Sequence, residues 1–156
     1  MIGRMVRSLL VGFLVLAVTL PALASETFER SSLTVETASG GHFRFDVEIA
    51  ETPAQQSQGL MHRETMAADA GMLFVYRTVQ PATFWMKNTL IPLDMIFISA
   101  DGHIVNIHER AVPHSLDGIR SAGPVKGVLE INGGMASRLG IRPGDRVLHP
   151  VFGNAK

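Results

Sequence analysis

Between Phe43 and Ile49 the chain alternates without interruption, with Phe43, Phe45, Val47 and Ile49 set against Arg44, Asp46 and Glu48. A side-chain period of two places one residue set on each face of a strand and is incompatible with an amphipathic helix. The segment therefore predicts a β-strand with one dry face and one wet face. Comparable short runs recur along the chain, each ended by a turn signal. Leu33-Thr34-Val35-Glu36 precedes a Ser39-Gly40-Gly41 turn, and Gly71 to Tyr76 is an apolar run suited to a buried strand. Ala82 to Lys87 and Leu93 to Ser99 read as two further strands joined by residues 88–92. Asp101-Gly102 predicts a type I′ hairpin that returns the chain into His103 to His108. Lys126 to Ile131 and Arg146 to Val151 complete the set of strands.

Helical signals are few. Thr52-Pro53 combines an N-cap residue with proline at the first helical position, so a short helix is expected to run to about Gly59. Asn132 is positioned to start a second short helix that ends at Leu139, with Gly140 as its stop. Many short strands with two short helices predict a mainly β fold, a small barrel-like or half-closed sheet.

The front of the chain has a different character. Arg4 and Arg7 precede an apolar stretch from Leu9 to Leu20, Pro21 breaks it, and Ala22-Leu23-Ala24 has the small-x-small pattern of a cleavage site. The apolar stretch is shorter than the ~20 residues that a spanning helix needs. Residues 1–24 are thus expected to be a signal peptide, residues 25–32 a flexible mature N-terminus, and residues 33–152 a single domain. The expected location is periplasmic or secreted, with membrane contact only through the leader before cleavage.

Composition narrows the chemistry. The hydrophobic fraction of 46% supplies a core. Of the 14 Lys and Arg residues, Arg4 and Arg7 fall in the leader, which leaves 12 cations against 14 acids. A slightly acidic mature chain lacks the electrostatic footprint of nucleic-acid binding. Cysteine is absent, which excludes disulfides, thiolate catalysis and cysteine-ligated metal. There is no Walker loop, serine nucleophile elbow, dinucleotide fingerprint or HExxH spacing. No cofactor is implied.

The motifs Gly59-Leu60-Met61-His62-Arg63-Glu64, Gly71-Met72-Leu73-Phe74, Phe84-Trp85-Met86-Lys87-Asn88-Thr89 and Pro92-Leu93-Asp94-Met95 occur in this order. Leu129-Glu130-Ile131-Asn132-Gly133-Gly134 and Gly140-Ile141-Arg142-Pro143-Gly144-Asp145 follow. Together they resemble the DUF192 family over most of Leu33 to Val151. The resemblance implies a small β-rich fold, often in an exported protein, and no established activity.

Hairpin arithmetic points to one polar cluster. With a two-residue Asp101-Gly102 loop, Ala100 faces His103, so Asp94 lies opposite Glu109 and Met95 opposite His108. Opposed carboxylates repel unless a cation intervenes or one is protonated. Lys87 is the expected cation, returned beside Asp94 by the connection at residues 88–92, with Trp85 on the same side of its strand. A β-bulge between these positions would break the pairing. Asn88, Arg63 and Glu130 join the cluster as candidate ligand-binding residues. Glu130, on the same face as Val128, would need Lys126 or Arg63 as partner if buried. These residues favour a non-enzymatic module that binds a small ligand or an envelope protein. The alternatives are a hydrolase-like enzyme using Asp94 and Glu109 as an acid/base pair, and a metal site on His108, His114, Asp94 and Glu109. A purely structural role for the cluster is equally compatible with the residues.

Overall fold

The computed structural model describes residues 26–155, so the leader expected at residues 1–24 lies outside the described residues. Nine strands and two short α-helices follow in the order β1 (Glu29–Glu36), β2 (His42–Ala50), α1 (Pro53–Gln58), β3 (Ala70–Gln80) and β4 (Thr83–Phe84). The remaining elements are β5 (Leu93–Ile98), β6 (Ile104–Ala111), β7 (Ile119–Arg120), β8 (Val125–Asn132), α2 (Met135–Leu139) and β9 (Arg146–Leu148). Seven strands form one sheet in the order β6-β5-β8-β3-β2-β1-β9, and β4 pairs with β7 in a separate ribbon. A bridge between His103 and Arg146 and the bond from the Val147 N–H to the Gly102 carbonyl draw the two sheet edges together. The sheet is a curled half-barrel, in agreement with the mainly β expectation.

Strand β2 pairs antiparallel with β1 and parallel with β3. A parallel pair requires a crossover, here α1 and residues 59–69. Thr52 caps α1 as expected: its hydroxyl accepts from the Gln55 N–H while the Gln55 side chain accepts from the Thr52 N–H. Strand β1 begins at Glu29, so residues 29–32, expected to be flexible, are paired along β2. Ser31 and Ser32 interrupt the apolar alternation and hide this extension from the sequence.

The two faces of the sheet bury two cores. The inner one contains Leu33, Phe45, Val47, Leu73, Ile96, Ile98, Leu129 and Ile131, and Ala136 of α2 packs into it. The outer one contains Met72, Phe74, Met95, Phe97 and Val128, joined by Leu60, Ala82 and Met86 from the connections. Burial on both faces explains why β5 is apolar on both parities except at Asp94.

The stretch Ala82 to Lys87 is not the long strand expected. Only Thr83 and Phe84 pair, with Arg120 and Ile119 of β7. The alternation survives, with Ala82 and Met86 buried and Thr83, Trp85 and Lys87 exposed. This extended segment lies over the outer core, and its neighbour in the ribbon is β7, not β5. The Asp101-Gly102 turn also differs from type I′, because only Gly102 has a positive φ, of 89°. The Ser99 N–H bonds the His103 carbonyl, so the loop holds three residues.

Candidate functional site

Asp94 is fully buried, and its carboxylate is held by backbone alone. Oδ1 accepts from the Arg110 N–H at 2.8 Å and the Gly134 N–H at 2.7 Å, and Oδ2 from the Ala136 N–H at 2.8 Å. It shares parity with Ile96 and Ile98 and so faces the inner core. There it ties the β6 edge to the start of α2. Gly134 adopts a φ of 84°, a left-handed conformation that side-chain-bearing residues rarely take, and the end of the Arg110 side chain lies against it.

The register of β5 and β6 explains why Glu109 is not its partner. Met95 does lie opposite His108, as the hairpin arithmetic expects, but Leu93 lies opposite Ala111. One residue on β5 therefore faces two on β6, Glu109 and Arg110, and Arg110 takes a positive φ of 53°. The bulge turns the Arg110 N–H toward Asp94 and leaves Glu109 exposed. The agreement at Met95 arises by cancellation: the loop is one residue longer than expected, and a second irregularity between Phe97 and Ile98 restores the count.

Lys87 does not neutralise this pair. No ion pair joins it to Asp94 or Glu109 among the described residues, and β5 is flanked by β6 and β8. Its Nζ instead lies 5.2 Å from the centre of the Trp85 ring, a cation–π contact on the side the two residues share. The acid/base pair of the hydrolase alternative is therefore taken apart by the bulge. His108, His114, Asp94 and Glu109 do not converge either, since no three potential ligands gather among the described residues.

Glu130 is buried in β8 between Met72 and Met95 on the outer face. Neither expected partner reaches it: Lys126 donates to the Arg77 carbonyl, and Arg63 pairs with Glu48 at 2.5 Å. Burial pushes the Glu130 carboxyl from its ordinary 4.5 up to about 8, so it is mostly protonated at neutral pH. Desolvation, with Glu130 adding to it, raises the Tyr76 hydroxyl to about 12.

The candidate residues thus do not converge on one place. Asp94 belongs to the inner core, and Glu130 to the outer core. Trp85, Lys87 and Asn88 lie on an exposed loop, where the Asn88 carbonyl accepts from the His62 N–H. Residues 112–118 run alongside this loop, through bonds from the Met86 N–H to the Ser115 carbonyl and from the His114 N–H to the Thr89 carbonyl. Trp85, Leu90, Val112 and Leu116 are 50%, 39%, 67% and 66% exposed, and they are four of the five large apolar side chains exposed among the described residues. His62, Asn88 and His114, all at this junction, adopt positive φ. Non-glycine residues rarely do so, and such strain gathers at functional loops. Val112 and Leu116 had no sequence signal, because their partner loop could be identified only from the tertiary pairing.

Arg63 belongs to a separate cleft of about 480 Å³, formed with Arg30, Ser32, Arg44, Asp46, Glu48 and Met66. The charged residues of β2 were legible as a wet face. The contribution of Arg30 was not, because it depends on the register between β1 and β2.

No curated protein matches this chain. It is similar in structure to a Sinorhizobium meliloti 1021 protein with a provisional transcription-regulator label, at 47% identity and a TM-score of 0.79. That match covers 82% of this chain and 99% of the other. A Novosphingobium aromaticivorans DSM 12444 protein of unknown function is 43% identical with a TM-score of 0.77, over 85% of this chain and 94% of the other. The family profile for DUF192, described as an uncharacterised group, matches residues 34–149. With most of its length matched in this way, the chain belongs to the DUF192 family.

Proposed function

We propose that this protein is an exported, non-enzymatic binding domain that engages an envelope partner through the platform of Trp85, Lys87, Asn88, Leu90, Val112 and Leu116. The concentration of exposed apolar side chains on two adjoining loops carries the reading. Scattered surface apolar residues need no explanation, whereas here four of the five large apolar side chains exposed among the described residues fall on two loops joined by backbone hydrogen bonds. Two clefts lie elsewhere, on β1–β2 and beside Tyr76 and Lys126, and the platform's exposed side chains line neither, which favours a partner segment over an enclosed small molecule. Trp85 supplies a rigid apolar face, and Lys87 beside it favours an acidic group on the partner. The excess of acids in the mature chain argues against the nucleic-acid contact that transcription regulation, suggested for the S. meliloti protein, would require.

Trp85 is the single tryptophan of the chain, so its emission reports directly on the platform. Titration with short acidic peptides carrying one aromatic residue should give a saturable blue shift. Lys87→Met and Leu116→Ser should weaken it without lowering the melting temperature. A blue shift indifferent to both substitutions, or no shift with any peptide, would sink the proposal. Export is tested separately by intact mass: the mature protein should begin at Ser25, within a residue or two. Full-length protein recovered from the membrane fraction would refute it.

A further inference from the structure

The cleft over β1 and β2 has a charge arrangement that the pairing of its own residues does not complete. Arg30 and Glu48 are directly opposed across the two strands, and so are Ser32 and Asp46, and Thr34 and Arg44. Opposed unlike charges on one sheet face ordinarily pair with each other. Here Glu48 is taken by Arg63, which reaches over from the crossover with Nη2 2.5 Å from Oε2. Asp46 is taken by Arg44 at 3.2 Å. Three guanidinium groups thus share two carboxylates, and Arg30 has no ion-pair partner among the described residues. Ser32 also lines the cleft, and its hydroxyl makes no hydrogen bond among the described residues. Met66 and Ala70 add an apolar wall to the same space of about 480 Å³.

We infer that this cleft is a second binding site, separate from the Trp85 platform, for a small organic carboxylate. The carboxylate group lies against Arg30, whose planar fork matches it in geometry, and receives a further bond from the Ser32 hydroxyl. The apolar portion of the ligand lies against Met66. Arg44 and Arg63, each held by an acid, contribute field rather than a dedicated bond. The site is half open, so affinity is modest and sensitive to salt.

The test uses the purified protein with three probes: hexanoate, inorganic phosphate and hexanol. Hexanoate should raise the melting temperature in a saturable manner, phosphate less, and hexanol not at all. Arg30→Gln should weaken hexanoate about tenfold, and Arg44→Gln by a smaller factor. Both positions are exposed, so equal urea midpoints establish that the variants remain folded. Lys87→Met, which weakens the platform, should leave the hexanoate response unchanged, so the two sites can fail independently. The inference is overturned by the absence of a saturable hexanoate response, by a response that survives Arg30→Gln, or by equal responses to hexanoate and phosphate.

Discussion

A single oxygen pair organises one end of the barrel. Asp94 gathers three backbone N–H donors from two distant parts of the chain, residue 110 in β6 and residues 134 and 136 at the start of α2. The carboxylate accepts on both oxygens. An asparagine would keep one acceptor and turn an NH₂ group toward a backbone donor. Asp94→Asn should therefore lower stability by about 2–4 kcal/mol, since charged hydrogen bonds are lost and a buried N–H is left unpaired. Urea melts measure this, and a loss within error of zero would show that the end of the barrel is not held through Asp94. The sequence marks Asp94 as the only charged residue in an apolar strand, but not its role. The donors come from a bulge and a helix start that are more than a dozen residues away. Asp145 plays a similar part, its carboxylate accepting from the Ala38 and Arg142 N–H groups.

Among elements, those with local causes were the legible ones. Strand β2 follows from its alternation and α1 from Thr52, Pro53 and Gln55, all within a few residues. Residues 82–87 have the alternation of a strand, yet extended backbone becomes sheet only beside a neighbour, and β7 supplies two paired positions. The β5–β6 hairpin was legible in existence and not in detail, because one glycine decides its loop. Gly102 has a φ of 89°, and a Cβ there would meet the Asn154 side chain and lie 2.6 Å from the Val147 carbonyl oxygen. That carbonyl belongs to β9, so Gly102 also lets the two sheet edges approach, and its own carbonyl accepts from the Val147 N–H. Gly102→Ala combines left-handed backbone strain with this collision and should cost about 2–3 kcal/mol. The loss should appear as a lower urea midpoint, with faster amide exchange at Val147 than in the parent. Unchanged exchange at Val147 would mean that the closing contact does not depend on Gly102.

At the scale of the whole molecule, two buried titratable groups act on stability in opposite directions. Glu130, raised by burial to about 8, keeps its proton in the folded state while the unfolded carboxyl loses it near 4.5. Between these values the folded state binds one more proton, so stability falls with rising pH by about 1.4 kcal/mol per unit. His149 is displaced the other way, as burial lowers it below its ordinary 6.5. Its Nδ1 accepts from the Val151 N–H and its other nitrogen meets the Ser31 hydroxyl, an arrangement that suits the neutral ring. Below pH 6.5 the unfolded histidine takes up a proton that the folded one does not, so stability falls with falling pH until the folded ring also titrates. Below pH 6.5 the His149 slope opposes part of the Glu130 slope, and above it only the Glu130 slope remains. The parent's decline with rising pH should therefore be shallower below pH 6.5 than between there and pH 8. Glu130→Gln removes the falling component, so the variant should gain stability up to pH 6.5 and then stay level. It should also exceed the parent at pH 8, because a neutral amide of similar shape replaces a carboxyl forced to ionise in an apolar layer. Urea melts at several pH values between 5 and 8 decide the matter. Parallel profiles for parent and variant would mean that the Glu130 carboxyl is solvated or paired in solution, and that the Met72–Met95 layer is not closed over it.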